Sequence, residues 1–183
     1  TNTATAAELE IQRETSAFTN LVMSDGAVRI VVDYDPETPQ NYGLDAGDEN
    51  NHLKYKIYYD YELFVENSGY GTRFSGVTLD DLDNDGTAEV IVQSYSGGAH
   101  CCTNHTIYSW QGDQFTVVET GYLNSLGGRF IDLNNDGSKE FVAADDTFLY
   151  RFAAYSDSYA PPLIYTFIDG QLRENTRNFP EYL

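Results

Sequence analysis

One stretch of this chain occurs twice, 51 residues apart, and no other feature narrows the fold as far. Asp81-Leu82-Asp83-Asn84-Asp85-Gly86-Thr87-Ala88-Glu89-Val90-Ile91-Val92 returns as Asp132-Leu133-Asn134-Asn135-Asp136-Gly137-Ser138-Lys139-Glu140-Phe141-Val142-Ala143. A repeat of this period marks a chain assembled from supersecondary units, each of which buries its apolar face against the next.

The segments downstream of the two copies also match. Ile107-Tyr108-Ser109-Trp110-Gln111-Gly112 and Ile164-Tyr165-Thr166-Phe167-Ile168-Asp169-Gly170 read as a strand and a turn, succeeded by the short segments Gln114–Thr120 and Gln171–Arg177. The composition suits strands, with 15 Tyr, 10 Phe and many β-branched residues. A decayed third copy lies upstream. There Asp25-Gly26 aligns with Asp85-Gly86 and Ile30-Val31-Val32 with Val90-Ile91-Val92, and a hairpin is expected over Lys56–Asn67. In that copy Leu21, Met23 and Arg29 stand where Asp81, Asp83 and Glu89 stand, so it keeps a turn without the acids.

The expectation is therefore an all-β fold in one domain spanning residues 1–183, made of about three four-stranded units near 16–70, 71–122 and 123–178. Four-stranded units of roughly 40–50 residues suggest propeller blades. Propellers usually need four or more, so the units either close unusually, pack as sandwiched sheets, or complete a ring with a second chain as a homo-oligomer. Phe148–Pro162 reads as an exposed aromatic insertion with a strand at Phe148–Phe152. Pro36–Asn51 reads as a long loop, and residues 1–15 as a short helix, a strand or a tail.

The repeated loops carry the chemistry. Calcium is a hard cation that takes six to eight oxygens, and acids at alternate positions before a glycine turn wrap their oxygens around one point. In the first loop the expected ligands are Asp81, Asp83, Asp85 and Glu89 with the backbone carbonyl of Thr87. In the second they are Asp132, Asn134, Asp136 and Glu140 with the carbonyl of Ser138. Tight turns also favour Asp and Gly, but a turn alone needs neither the alternation nor the acid at the ninth position of both copies. An EF-hand is excluded, because its twelfth position, a bidentate Glu, is Val92 or Ala143 here and a β-type run replaces the second helix.

With these residues, the chain resembles the FG-GAP and VCBS class of repeats, which includes the calcium-binding blades of integrin α-subunits. The resemblance covers two units clearly and the third weakly. It implies a propeller-type fold, an extracellular or periplasmic location, and two structural Ca2+ sites between the first two strands of a blade. It implies no particular partner, and an unidentified protein or glycan ligand is the expectation.

Net charge is −19. A surface this acidic repels phosphate backbones and anionic membranes, which sets nucleic-acid binding aside. No apolar run reaches the roughly 18–20 residues of a membrane span. The opening Thr1-Asn2-Thr3-Ala4-Thr5 is what a mature secreted chain presents after its signal is removed, and a cytosolic chain could begin the same way.

Ser94–Tyr108 holds both cysteines and two of the three histidines. Three readings stay open: a strained Cys101–Cys102 disulfide, a zinc, copper or thiol redox site on His100, Cys101, Cys102 and His105, or two small buried thiols with two surface histidines. The chain has no nucleophile elbow, phosphate loop or dinucleotide fingerprint. The leading expectation is thus a secreted calcium-binding β-repeat module with a binding or surface-interaction role rather than an enzyme.

Overall fold

A computed structural model describes residues 7–37, 52–97, 101–125 and 127–182. The expected loop Pro36–Asn51 lies mostly outside these residues, as does His100. The fold is all-β, and no α-helix occurs among the described residues.

Among the described residues, fourteen strands form three antiparallel sheets. The first is the meander β2 (Phe18–Asp25), β3 (Val28–Tyr34), β4 (Leu53–Tyr59) and β5 (Glu62–Gly69). The second contains β6 (Gly76–Asp80), β7 (Glu89–Tyr95), β8 (Cys101–Trp110) and β9 (Phe115–Glu119). Two strands extend it: β1 (Ala7–Glu10) joins the β6 edge, and β10 (Leu123–Asn124) pairs with the start of β8. The third is the meander β11 (Arg129–Ile131), β12 (Glu140–Ala144), β13 (Pro162–Ile168) and β14 (Gln171–Glu174).

Burial patterns explain how the sheets stack. In β3 exposure alternates strictly: Val28, Ile30, Val32 and Tyr34 are buried, while Arg29, Val31 and Asp33 lie on the other face. Together with Leu53, Tyr55 and Ile57 they pack on Val77, Leu79, Val90, Val92 and Tyr108 of the second sheet. In β7, by contrast, Glu89 through Val92 are all buried, as expected for a strand covered on both faces. Its second face contributes Ile91, which with Ile107 joins Leu82 and Phe167 in a smaller core packed with Val118, Phe130 and Leu172. The middle sheet is therefore enclosed between the other two. Tyr55 and Tyr108 share a hydroxyl–hydroxyl hydrogen bond of 2.9 Å across the larger core, so neither buried phenol goes unpaired.

At three segments the structure narrows or corrects the reading of the sequence. Residues 7–10 form a strand because they complete the edge of β6, a tertiary effect that local alternation does not encode. β8 begins at Cys101, so the strand read from Ile107 starts upstream of it and includes both cysteines. Phe148–Phe152 is not a strand: Asp146–Phe148 is a 3-10 turn capped by the Asp145 side chain, and no strand lies between β12 and β13. No helix among the described residues is long and apolar enough to cross a membrane.

Candidate metal centre

Each Asp-rich loop links the first two strands of its meander: residues 81–88 join β6 to β7, and 132–139 join β11 to β12. The corresponding link in the first sheet is the two-residue turn Gly26-Ala27 after Asp25, which leaves no room for a ligand loop.

The two loops share a hydrogen-bonded frame. Asp81 accepts the backbone N–H groups of Asp85 (3.1 Å) and Gly86 (3.0 Å), and Asp132 accepts those of Asp136 (3.2 Å) and Gly137 (3.0 Å). Asp85 Oδ1 accepts from Thr87 N–H at 2.7 Å, and Asp136 Oδ1 from Ser138 N–H at 2.9 Å. Glu89 and Glu140 each accept the N–H of the leucine seven residues before, Leu82 (2.8 Å) and Leu133 (3.1 Å). Both loops turn through left-handed residues at matching positions, Asn84 (φ +60°) with Gly86 (φ +91°), and Asn135 (φ +59°) with Gly137 (φ +97°). Asn tolerates that region better than most residues and Gly adopts it freely. The recurrence of Asn in both copies is a visible signal of this backbone requirement.

In the first loop one carboxylate oxygen from each of Asp81, Asp83 and Glu89 can be chosen so that all lie within 4.8 Å of one another. Asp83 Oδ1 is buried with no hydrogen-bond partner among the described residues. Burial, then the charges of Asp85 and Asp81, raise the Asp83 pKa. Glu89 is 1% exposed, and burial pushes its pKa up to about 8 despite its bonds to Leu82 N–H and Ser109 O–H (2.9 Å). Asp83 and Glu89 are short of compensation, and a hard cation would supply it. The donor set is all oxygen, which fits calcium. Among the described residues the second loop brings together no equivalent triad. There Asn134 donates to Asp136 Oδ2 at 2.7 Å, so an amide hydrogen sits where the first loop has a third acid. Ser138 N–H, followed by Asn134, holds Asp136 below the usual carboxylate range, whereas burial raises Glu140.

The loops touch. Lys139 N–H donates to Leu82 C=O at 2.7 Å, and Ser138 O–H donates to Asp83 C=O at 3.3 Å. The Lys139 ammonium lies 2.7 and 2.5 Å from the two carboxylate oxygens of Asp80. Beside them a cleft of about 680 Å3 is lined by Asp83, Asp85, Asp136, Ser138, Trp110 and Asp169 among others.

The His-Cys-Cys segment lies elsewhere. His105 is 2% exposed on β8, and its ring meets Phe130 and Phe141 of the third sheet. Nε2 contacts Gln93 Oε1 at 3.1 Å, while Nδ1 has no partner among the described residues. Burial lowers its pKa to about 4, so the ring is neutral near pH 7. It faces the packed interior between two sheets. The side chain of Cys101 lies outside the described residues, and so does the pairing expected for it.

No protein-family model and no solved structure matches the chain. Over 97 residues, 51% of this chain, it is 36% identical to a probable thylakoid lumen protein of Synechocystis. Over 82 residues, 45% of this chain, it is 40% identical to an uncharacterized protein of Sinorhizobium fredii. The matches cover 29% and 13% of those proteins' lengths.

Proposed function

We propose that this chain is a calcium-binding β-repeat module of an extracytoplasmic compartment, whose blade-like units carry Ca2+ in the loops 81–89 and 132–140. The observation that carries this reading is Asp83 Oδ1, buried and unpartnered beside the desolvated carboxylate of Glu89. A buried carboxylate oxygen without a partner is costly, and a bound cation offsets that cost. The role of the metal is structural: it fixes the ends of stacked sheets that present a surface to a protein or glycan partner. The Synechocystis relative is named for a lumen, and such a compartment is compatible with the periplasmic or extracellular reading. The FG-GAP and VCBS resemblance of the loops supports the same function. Isothermal calorimetry on chelator-treated protein is expected to give two calcium sites per chain. Absence of calcium binding overturns the proposal.

The proposal includes a Cys101–Cys102 bond in the mature protein, since exposed thiols oxidise outside the cytoplasm. Native and denatured thiol labelling without reductant is expected to give none, and two labelled thiols would reopen a zinc or copper site on this segment.

A further inference from the structure

We infer that the two loops are one coupled unit, in which filling the second loop raises the calcium affinity of the first; this rests on the calcium reading above. Three consecutive residues of the second loop bear on the first. Gly137 packs on Asn84 so closely that a Cβ there would sit 2.8 Å from Asn84 Nδ2. Ser138 O–H donates to Asp83 C=O, and Lys139 N–H donates to Leu82 C=O. The Lys139 ammonium then grips Asp80, the residue immediately before Asp81.

Leu82 and Asp83 are the junction. The Leu82 N–H is held by Glu89, an expected ligand of the first site, and its C=O is held by Lys139, which lies between Ser138 and Glu140 of the second. Asp83 is itself an expected ligand, and its carbonyl is the acceptor for Ser138. A cation in the second loop orders residues 132–140 and with them the donors at 138 and 139. The first loop then binds its own cation with less of its ordering still to be done, which is positive coupling. Repulsion between two bound cations acts in the opposite direction, but each lies among its own carboxylates, and the contact through Leu82 and Asp83 is direct.

Coupling is reciprocal for equilibrium binding. Calorimetry on the intact chain and on Asp136→Ala, which removes a ligand of the second loop, reads it directly. The first site is expected to weaken at least about fivefold in Asp136→Ala, and Asp85→Ala is expected to weaken the second site by the same factor. Lys139→Met removes no expected ligand. It is expected to keep two sites while the steepness of the wild-type isotherm relaxes toward independent binding. This variant carries the test if Asp136→Ala does not fold, as judged by circular dichroism. A first-site affinity unchanged within about twofold in Asp136→Ala, or an isotherm unaltered in Lys139→Met, overturns the coupling and leaves the calcium reading standing. No calcium bound by the wild type overturns the calcium reading itself, and the coupling falls with it.

Discussion

Glu89 and Glu140 hold the same position in the two repeats, and each is 1% exposed, yet they are buried by different things. Glu89 lies beside the core where the third sheet covers the second, and Ser109 donates to it. Glu140 stands cross-strand from Thr166, but the Thr166 hydroxyl accepts from Asn175. Among the described residues no fourth sheet covers that face. The C-terminal segment folds back instead: Thr176 and Phe179 are buried, and the Tyr182 O–H donates to Leu133 C=O at 3.1 Å. Leu82 C=O, the counterpart of that carbonyl, accepts from the next unit's Lys139. A tyrosine from the tail therefore does for the last unit what the following repeat does for the one before it. The two loops thus differ in one acid, Asn134 standing where the first has Asp83, and in what packs on them, the next repeat in one unit and the C-terminal segment in the other.

The largest test of this contrast is Glu89→Ala. It strands the Leu82 N–H and the Ser109 hydroxyl, and with two buried partners lost the cost is expected to be about 4 kcal/mol. Glu140→Ala strands only the Leu133 N–H and is expected to cost about 2 kcal/mol. Denaturant unfolding of the two variants checks this, and equal losses would break the comparison.

Acid tests the interface that shelters the first loop. Burial holds the folded-state pKa of His105 near 4, below its ordinary 6.5. The stability that depends on its neutral form is fully present above pH 6.5 and is lost as pH falls toward 4. The loss is expected to reach about 3 kcal/mol. His105→Gln should flatten that part of the urea-stability profile, and an unchanged slope would show that the packing tolerates the charged ring.

Calcium at 100 times its dissociation constant is expected to add about 2.7 kcal/mol for each filled site. A melting temperature indifferent to chelator and to millimolar calcium contradicts this. The first loop offers four carboxylates and the second three. Calorimetry should therefore find the weaker remaining site in Asp85→Ala, by about tenfold relative to Asp136→Ala, or about 1.4 kcal/mol. The reverse order would mean that rigidity outweighs charge. The smallest effect is expected from Tyr182→Phe, about 1 kcal/mol, read as weaker binding at the second loop.

Much of the fold is legible in the sequence because the strands repeat at a fixed offset and their apolar residues alternate. The three meanders lie at 18–69, 76–119 and 129–174, within the units read from the repeat. The loops are legible for the same reason, since ligand-type residues at alternate positions before a glycine are a local pattern. Features that depend on a neighbour are not legible. Ser109, Lys139 and Tyr182 carry no signal of their own, and each matters through a partner 20, 57 or 49 residues away in the chain. His105 reads as a metal ligand or a surface histidine by residue type, and only the stacking of the third sheet buries it. The edge strand β1 is ambiguous because the four residues Ala7-Glu8-Leu9-Glu10 suit a helix as well as a strand.

The single tryptophan of the chain sits where these relations converge. Trp110 stacks on Tyr59 of the first sheet, with ring centroids 4.0 Å apart and planes 8° from parallel, and meets Phe64 and Phe115 edge-on. It also lines the cleft beside Asp83, Asp85 and Asp136. The protein thus contains its own optical reporter. Excited at wavelengths that spare the 15 tyrosines, its emission registers the parting of the first two sheets, while quenching by solutes that enter the cleft tracks events at the loops.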